Sequence, residues 1–243
     1  MWADNLRGIY YIVVKDMRTY YLKPPAVSWG IVFPLAWITA FYLRNPQDFG
    51  QLVPGLIAMT VLFSTTAAEA VVINFELRLG SLERLLLAPL SLPAILLGKV
   101  LGGALFGLMM AGVVSVVAIF ALGLFQVNVL YLLAVVLLSL LVFSSLGALL
   151  CVMVKEVFEA QTLLNLPRFL MIFLSGVVYP ISAMPPPLRA VAYLLPLTYT
   201  VDGLRGAFSP IPQTTMLVDI LALAAFFLLF IFPATWLLSR RFA

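Results

Sequence analysis

Six apolar runs, each close to the ~20 residues that a helix needs to cross a bilayer, constrain this chain more than any other feature. They occupy residues 26–43, 52–75, 95–124, 129–154, 162–180 and 216–238. Apolar residues make up 64% of the 243 and charged residues only 10%, where soluble domains carry roughly 45–50% and about 25%. Backbone in hydrocarbon must satisfy its own hydrogen bonds, and at these run lengths the helix does so. The expected fold is therefore all-α and integral to the membrane, with six transmembrane helices in one domain spanning residues 1–243.

The basic residues orient it. Arg7, Lys15, Arg18, Lys23, Arg78, Arg84, Lys99, Lys155, Arg168, Arg240 and Arg241 fall on one side of the six runs, while Arg44, Arg189 and Arg205 fall on the other. The richer side is cytosolic by the positive-inside rule, which puts both termini in the cytosol. Residues 181–209 resemble a seventh run, but Pro185, Pro186, Pro187, Arg189, Pro196 and Asp202 interrupt it. Two short re-entrant helices on the outer side, ahead of the last span, are expected there instead.

Residues 5–22 predict an amphipathic helix. Leu6, Ile9, Tyr10, Val13, Met17, Tyr20 and Tyr21 share one face, and Arg7, Lys15 and Arg18 lie on another. Such a helix suits the cytoplasmic membrane surface, either as a plain anchor or as part of a coupling device. Pro24 and Pro25 end it, and the N-terminus reads as one without a cleavable signal peptide.

Most enzyme chemistry is excluded. The chain has no histidine and a single cysteine, Cys151, so no metal cluster, disulfide framework or histidine-based acid–base scheme is expected. No phosphate-binding G-x-x-x-x-G-K-[ST] loop occurs. The net charge of +4 is spread over membrane loops, so no nucleic-acid patch is read. No catalytic, cofactor-binding or metal residue is assigned, and any work on a substrate must draw its energy from elsewhere.

Residues 76–89, ELRLGSLERLLLAP, supply a point of contact. Gly80 should break the preceding helix and Ser81 should cap a new one. Glu83 suits the first turn, and Pro89 stops the helix after about two turns. Leu82, Leu85 and Leu86 share a face. The plainer alternative is a loop whose charges merely serve orientation.

Gly80-Ser81-Leu82-Glu83-Arg84-Leu85 with Pro89, then Gly98-Lys99, resembles the first cytoplasmic loop of type-2 ABC exporter permeases. Pro196-Leu197-Thr198-Tyr199 with Arg205, after Ser175, Gly176 and Pro180, is similar to that family's C-terminal signature. The resemblance implies a coupling helix that sits in a cleft of a cytosolic ABC ATPase subunit. It implies a compact half-transporter of the prokaryotic inner membrane, without a fused ATPase or a large extracellular domain. Two permease subunits, preferably identical, would pair and dock two ATPase copies, with ATP and Mg held on the ATPases and lipid around the spans. Glu83 and Arg84 would touch the ATPase, with Leu82 and Leu85 as apolar knobs. Pro196, Tyr199, Asp202 and Arg205 would form an outer gate or a structural lid, with a local Asp202–Arg205 ion pair.

Glu69 lies roughly 26 Å along its run from Leu52 at 1.5 Å per residue. A structural partner on the N-terminal helix and a gating or substrate role are both open to it. Gly103, Gly107 and Gly112, and Ser144, Ser145 and Gly147, should allow close helix packing within the subunit. Pro34 should kink the first run between Trp29 and Trp37. With span walls read as apolar and aromatic, the expected cargo is hydrophobic, amphipathic or lipid-linked, moved out of the cytosol or inner leaflet. The alternatives are a passive channel or scaffold without ATPase coupling, and an intramembrane enzyme.

Overall fold

The computed structural model describes residues 2–23, 27, 32, 36, 37, 39, 40, 43, 49–122, 127–154, 157–209 and 216–242. All regular structure among them is helical. Helix α1 spans Trp2–Asp16 and runs on through a π-helical turn at Met17–Tyr21. Then come α2, Phe49–Arg78, the short α3, Ser81–Leu86, and α4, Leu92–Leu122. Helices α5, Val129–Met153, and α6, Val157–Leu174, follow. A 3-10 turn at Ile181–Ala183 leads to α7, Pro186–Ala192, α8, Pro196–Ala207, and α9, Met216–Phe242.

Four helices are long and apolar enough to cross a membrane: Leu52–Arg78, Leu92–Val117, Val129–Met153 and Met216–Arg241. Six spans were expected. Of the first expected run, 26–43, only residues 27, 32, 36, 37, 39, 40 and 43 are described, and Pro34 and Trp29 lie outside the described residues. The fifth is α6, an 18-residue helix interrupted by Glu159, Gln161, Asn165 and Arg168. The expected short helices within 181–209 are α7 and α8.

Helix α2 is the hub, with 83% of its apolar window buried against 17% for α9. Antiparallel α4 crosses it where Gly107 faces Thr65. Antiparallel α6 crosses it where Thr66 meets Arg168, and Val177, just past the end of α6, packs on Gly55. Helices α5 and α9 run side by side in one direction: Tyr131 bonds Asp219 at one end, and Arg241 donates to the Val152 and Val154 carbonyls at the other. One apolar core joins the first half of α2 to α5 and α8. A second joins Ile12 of α1, Ile73, Leu82, Ile95 and Leu164 at the opposite end, where α3 sits.

Among the expected small-residue contacts, Gly107 is as tight as packing allows. A Cβ there would stand 2.5 Å from Thr65 Cγ2 and 2.6 Å from Leu140 Cδ2, whereas one on Gly112 would meet nothing within 4 Å. Gly112→Ala should therefore raise stability by about 0.5–1 kcal/mol by removing a helix-interior glycine. Gly107→Ala should lower it by about 1–3 kcal/mol through overpacking. Thermal unfolding of the purified variants in detergent reads both.

Candidate functional site

Helix α3 is held by its two neighbours. Gly80 adopts φ +64°, a left-handed conformation in which a Cβ is costly, and it turns the chain out of α2. Gly80 itself occupies the cap position, so Ser81 is not the expected cap. As the first helical residue, Ser81 donates its hydroxyl back to the Glu76 carbonyl at 3.4 Å. Leu82 is 2% exposed and lies in the core with Ile73 and Ile95, so it anchors α3 rather than forming the expected knob. Leu85 is partly buried, whereas Glu83 and Arg84 are exposed. Among the described side chains, the large apolar ones that project beside α3 are Leu79 and Leu87.

A knot of four charges, three of them buried and Lys15 part-exposed, ties the helices around α3. Lys99, on the second turn of α4, places Nζ 3.0 and 2.9 Å from the two Asp16 carboxylate oxygens and 2.5 Å from Glu76 Oε2. Lys15 pairs with Glu76 Oε1 and, at 3.1 Å, with Asp16. Asp16, Glu76 and Lys99 are each at most 1% exposed. Burial pushes the Asp16 carboxyl above its ordinary value, against the pull of Lys99 and Lys15. Burial draws the Lys15 ammonium down, but Glu76 and Asp16 more than offset this and hold it above the ordinary lysine value.

The knot explains how α1 packs. Asn5 accepts the Ser91 N–H at 3.0 Å, Gly8 abuts Leu90, Ile12 fills the space beside Gly98, and Tyr21 stacks on Phe106 at 5.3 Å. Helix α1 therefore follows α4 in the same direction, on a face made of Asn5, Gly8, Ile12 and Asp16. Part of the expected apolar face points outward, with Leu6 and Tyr10 exposed, as is Trp2 ahead of it. Close approach through Gly8 and charge pairing through Asp16 decided the face, not hydrophobicity alone.

A polar seam runs on along α2. The hydroxyls of Thr60, Ser64, Thr65 and Thr66 return to carbonyls four residues back, which satisfies them inside an apolar helix. Glu69, fully buried, accepts from Ser144 Oγ at 2.6 Å. The expected basic partner from α1 goes instead to Glu76, two turns nearer α3. Arg168, counted among loop charges by sequence, is 3% exposed, with Nε on Thr66 Oγ1 at 2.7 Å and Nη1 on Asn165 Oδ1 at 3.0 Å. The interior thus holds a buried cation besides Glu69, where the sequence reading took the span walls as apolar and aromatic.

At the opposite end, Pro196 opens α8 and Tyr199 donates its hydroxyl to the Tyr193 carbonyl at 2.9 Å. Arg205 stands 3.9 Å from Asp202, the expected ion pair, and donates from Nη2 to the Gly176 carbonyl at 2.5 Å. Gly176, at φ +81°, presents that carbonyl. Partial burial raises the Asp202 carboxyl despite Arg205. Tyr131–Asp219, 3.0 Å apart and buried, was not anticipated. Its sequence signal was an acid in the first turn of an apolar run. Among the described residues no set of three or more metal-ligating side chains converges.

Lys99→Met would leave two buried carboxylates with only Lys15, and should cost about 3–5 kcal/mol. Adding Asp16→Asn restores neutrality and should recover about 1–3 kcal/mol of that, a coupling measurable by a double-mutant cycle in denaturant. The fold favours the protonated Asp202 carboxyl, so its contribution is present below the ordinary carboxylate value and lost as pH rises through the raised one. Asp202→Asn should melt with wild type near pH 3.5 and above it near pH 7.

The sequence model described as "ABC-2 type transporter" matches residues 7–209. The probable multidrug ABC transporter permease YbhS of Escherichia coli is 29% identical over 214 residues, covering 86% of this chain and 56% of the relative. Heme exporter protein B of Escherichia coli is 34% identical over 89 residues, 35% of this chain and 40% of that protein. Nodulation protein J of Sinorhizobium fredii is 36% identical over 81 residues, 33% of this chain and 30% of that protein. The chain thus spans about half the length of the curated relatives it matches. With the family's pattern running from α1 through α8, this multi-pass membrane protein belongs to the ABC-2 type transporter permease family.

Proposed function

We propose that this chain is the transmembrane permease of an ATP-driven exporter and that α3 is its coupling helix. The observation that carries the reading is the build of α3. It is anchored inward by Leu82, its flanking spans are joined by the Glu76–Lys99 ion pair, and it presents Glu83 and Arg84 outward. In this reading a cytosolic ABC ATPase binds ATP and Mg and grips Glu83, Arg84, Leu79 and Leu87. The chain itself hydrolyses nothing. Two permeases, preferably identical, pair and engage two ATPases.

The topology proposed is six spans with both termini in the cytosol. The first and fifth are residues 26–43 and α6, and α7 and α8 re-enter from the outer side. With Lys99 and Arg168 set aside as buried, nine basic residues still stand on the cytosolic side against three outside, which supports that orientation. Pro196, Tyr199, Asp202 and Arg205 then form an outer lid tied to the α6 end through Gly176.

The cargo proposed is hydrophobic or amphipathic. The relatives' names point to varied cargo, multidrug in one and heme in another, so likeness does not select it. Glu83→Lys should lower ATP-dependent transport by the purified permease–ATPase complex about tenfold. Membrane insertion should be unchanged. Leu82→Ala should instead destabilise the permease by about 2–5 kcal/mol. Normal transport by Glu83→Lys, or recovery of the permease without any ATPase chain, would sink the reading.

A further inference from the structure

Among the described residues, Arg168 is a buried cation that no acid answers. Its ammonium counterpart Lys99 contacts two carboxylates. Arg168 has none among the described residues, although Thr66, its partner, stands about 21 Å along α2 from Leu52, in the middle of an apolar span. An uncompensated cation at such depth costs several kcal/mol, and buried membrane charges are kept where a ligand or a path needs them.

The guanidinium is also oriented. Nε and Nη1 are fixed on the neutral oxygens of Thr66 and Asn165, the Phe63 ring lies 5.4 Å from the guanidinium carbon, and Nη2 has no hydrogen-bond partner among the described residues. Uncharged acceptors hold the fork without neutralising it, which leaves a directed donor and a full positive charge. A carboxylate or phosphate oxygen is what such a donor binds best.

Two aromatic rings lie beside it. Phe63 is only partly buried and meets Phe169 edge-on at 6.5 Å, so this pair of rings separates the guanidinium from the outer face of α6. On that face Leu166, Phe169, Leu170 and Phe173 are exposed at helical spacing. We propose that Arg168 is the headgroup-recognising residue of a site for anionic amphiphiles. In this site the carboxylate or phosphate reaches Nη2 past Phe63, and the apolar tail lies along Leu166, Phe169 and Phe173. The site names a substrate class for the exporter proposed above and rests on that reading only where the ligand is cargo.

The full chain in phosphatidylcholine nanodiscs tests it by direct binding, without an ATPase. Oleoyl lysophosphatidate should bind at least about tenfold tighter than oleoyl lysophosphatidylcholine, which has the same tail and no net charge. Arg168→Gln should erase that preference. Arg168→Lys, which keeps the buried cation but loses the fork, should insert normally and lose most of it, so a folding failure of the glutamine variant does not protect the proposal. Equal binding of the two lipids by wild type, or an undiminished preference in Arg168→Lys, overturns it. Phosphatidylglycerol added to the nanodisc separates the sources. Competition with lysophosphatidate identifies a resident-lipid headgroup, and its absence identifies a mobile amphiphile; both outcomes uphold the anion site. Failure of ATP-dependent transport with binding intact would count against the exporter reading alone.

Discussion

The structure around α3 depends on one arrangement, the neutral knot of Lys15, Asp16, Glu76 and Lys99. Two acids and Lys99 are withdrawn from solvent while Lys15 closes the set from a part-exposed position, and each acid contacts both bases. Such a set is no more stabilising than apolar packing of the same volume, because desolvation consumes most of the Coulomb gain. What it provides is register. Lys99 accepts no neighbour but a carboxylate at that depth, so α1 can seat against α4 only where Asp16 arrives beside it. Asn5 at Ser91, Ile12 at Gly98 and Tyr21 at Phe106 then follow along one line. The N-terminal helix is thereby part of the helical body.

The same physics accounts for what the sequence did and did not disclose. Long apolar runs were legible because periodicity is immaterial when a whole helix is buried or lipid-facing: α5 starts where expected and ends within one residue. Helix α3 was legible because Gly80 and Pro89 bound it on both sides. Its inward face was only half read, since Leu82 and Leu85 share a stripe and nothing local says which one reaches the core. The orientation count treated every basic residue as a loop residue. Lys99 and Arg168 broke that assumption, and they did so because their partners, Asp16 and Glu76 for one and Thr66 and Asn165 for the other, lie mostly far away in the chain.

Helix α2 joins these features into one device. Its α3 end carries Glu76 of the knot. Two turns inward Glu69 engages Ser144 of α5 with Gly103 of α4 close by, and a further turn on Thr66 holds Arg168 of α6. Each contact is polar, buried and directional, so sliding α2 past a neighbour means breaking hydrogen bonds in a medium that offers no water to replace them. Small displacements of α2 are therefore shared by α4, α5 and α6, while apolar contacts elsewhere tolerate slippage.

That stiffness bears on the proposed coupling. A force applied at Glu83 and Arg84 meets a helix of six residues, which is unable to bend, anchored by Leu82 and flanked by helix ends that Glu76 and Lys99 hold together. It cannot be absorbed by the loop and must move α2 and α4 as a pair, carrying α1 with them. Were the Glu76–Lys99 contact absent, the two ends could part and the push would be spent on widening the loop. In the exporter reading, then, the charge knot is what makes the short helix a lever, and the polar seam of α2 is the path by which its motion reaches Arg168.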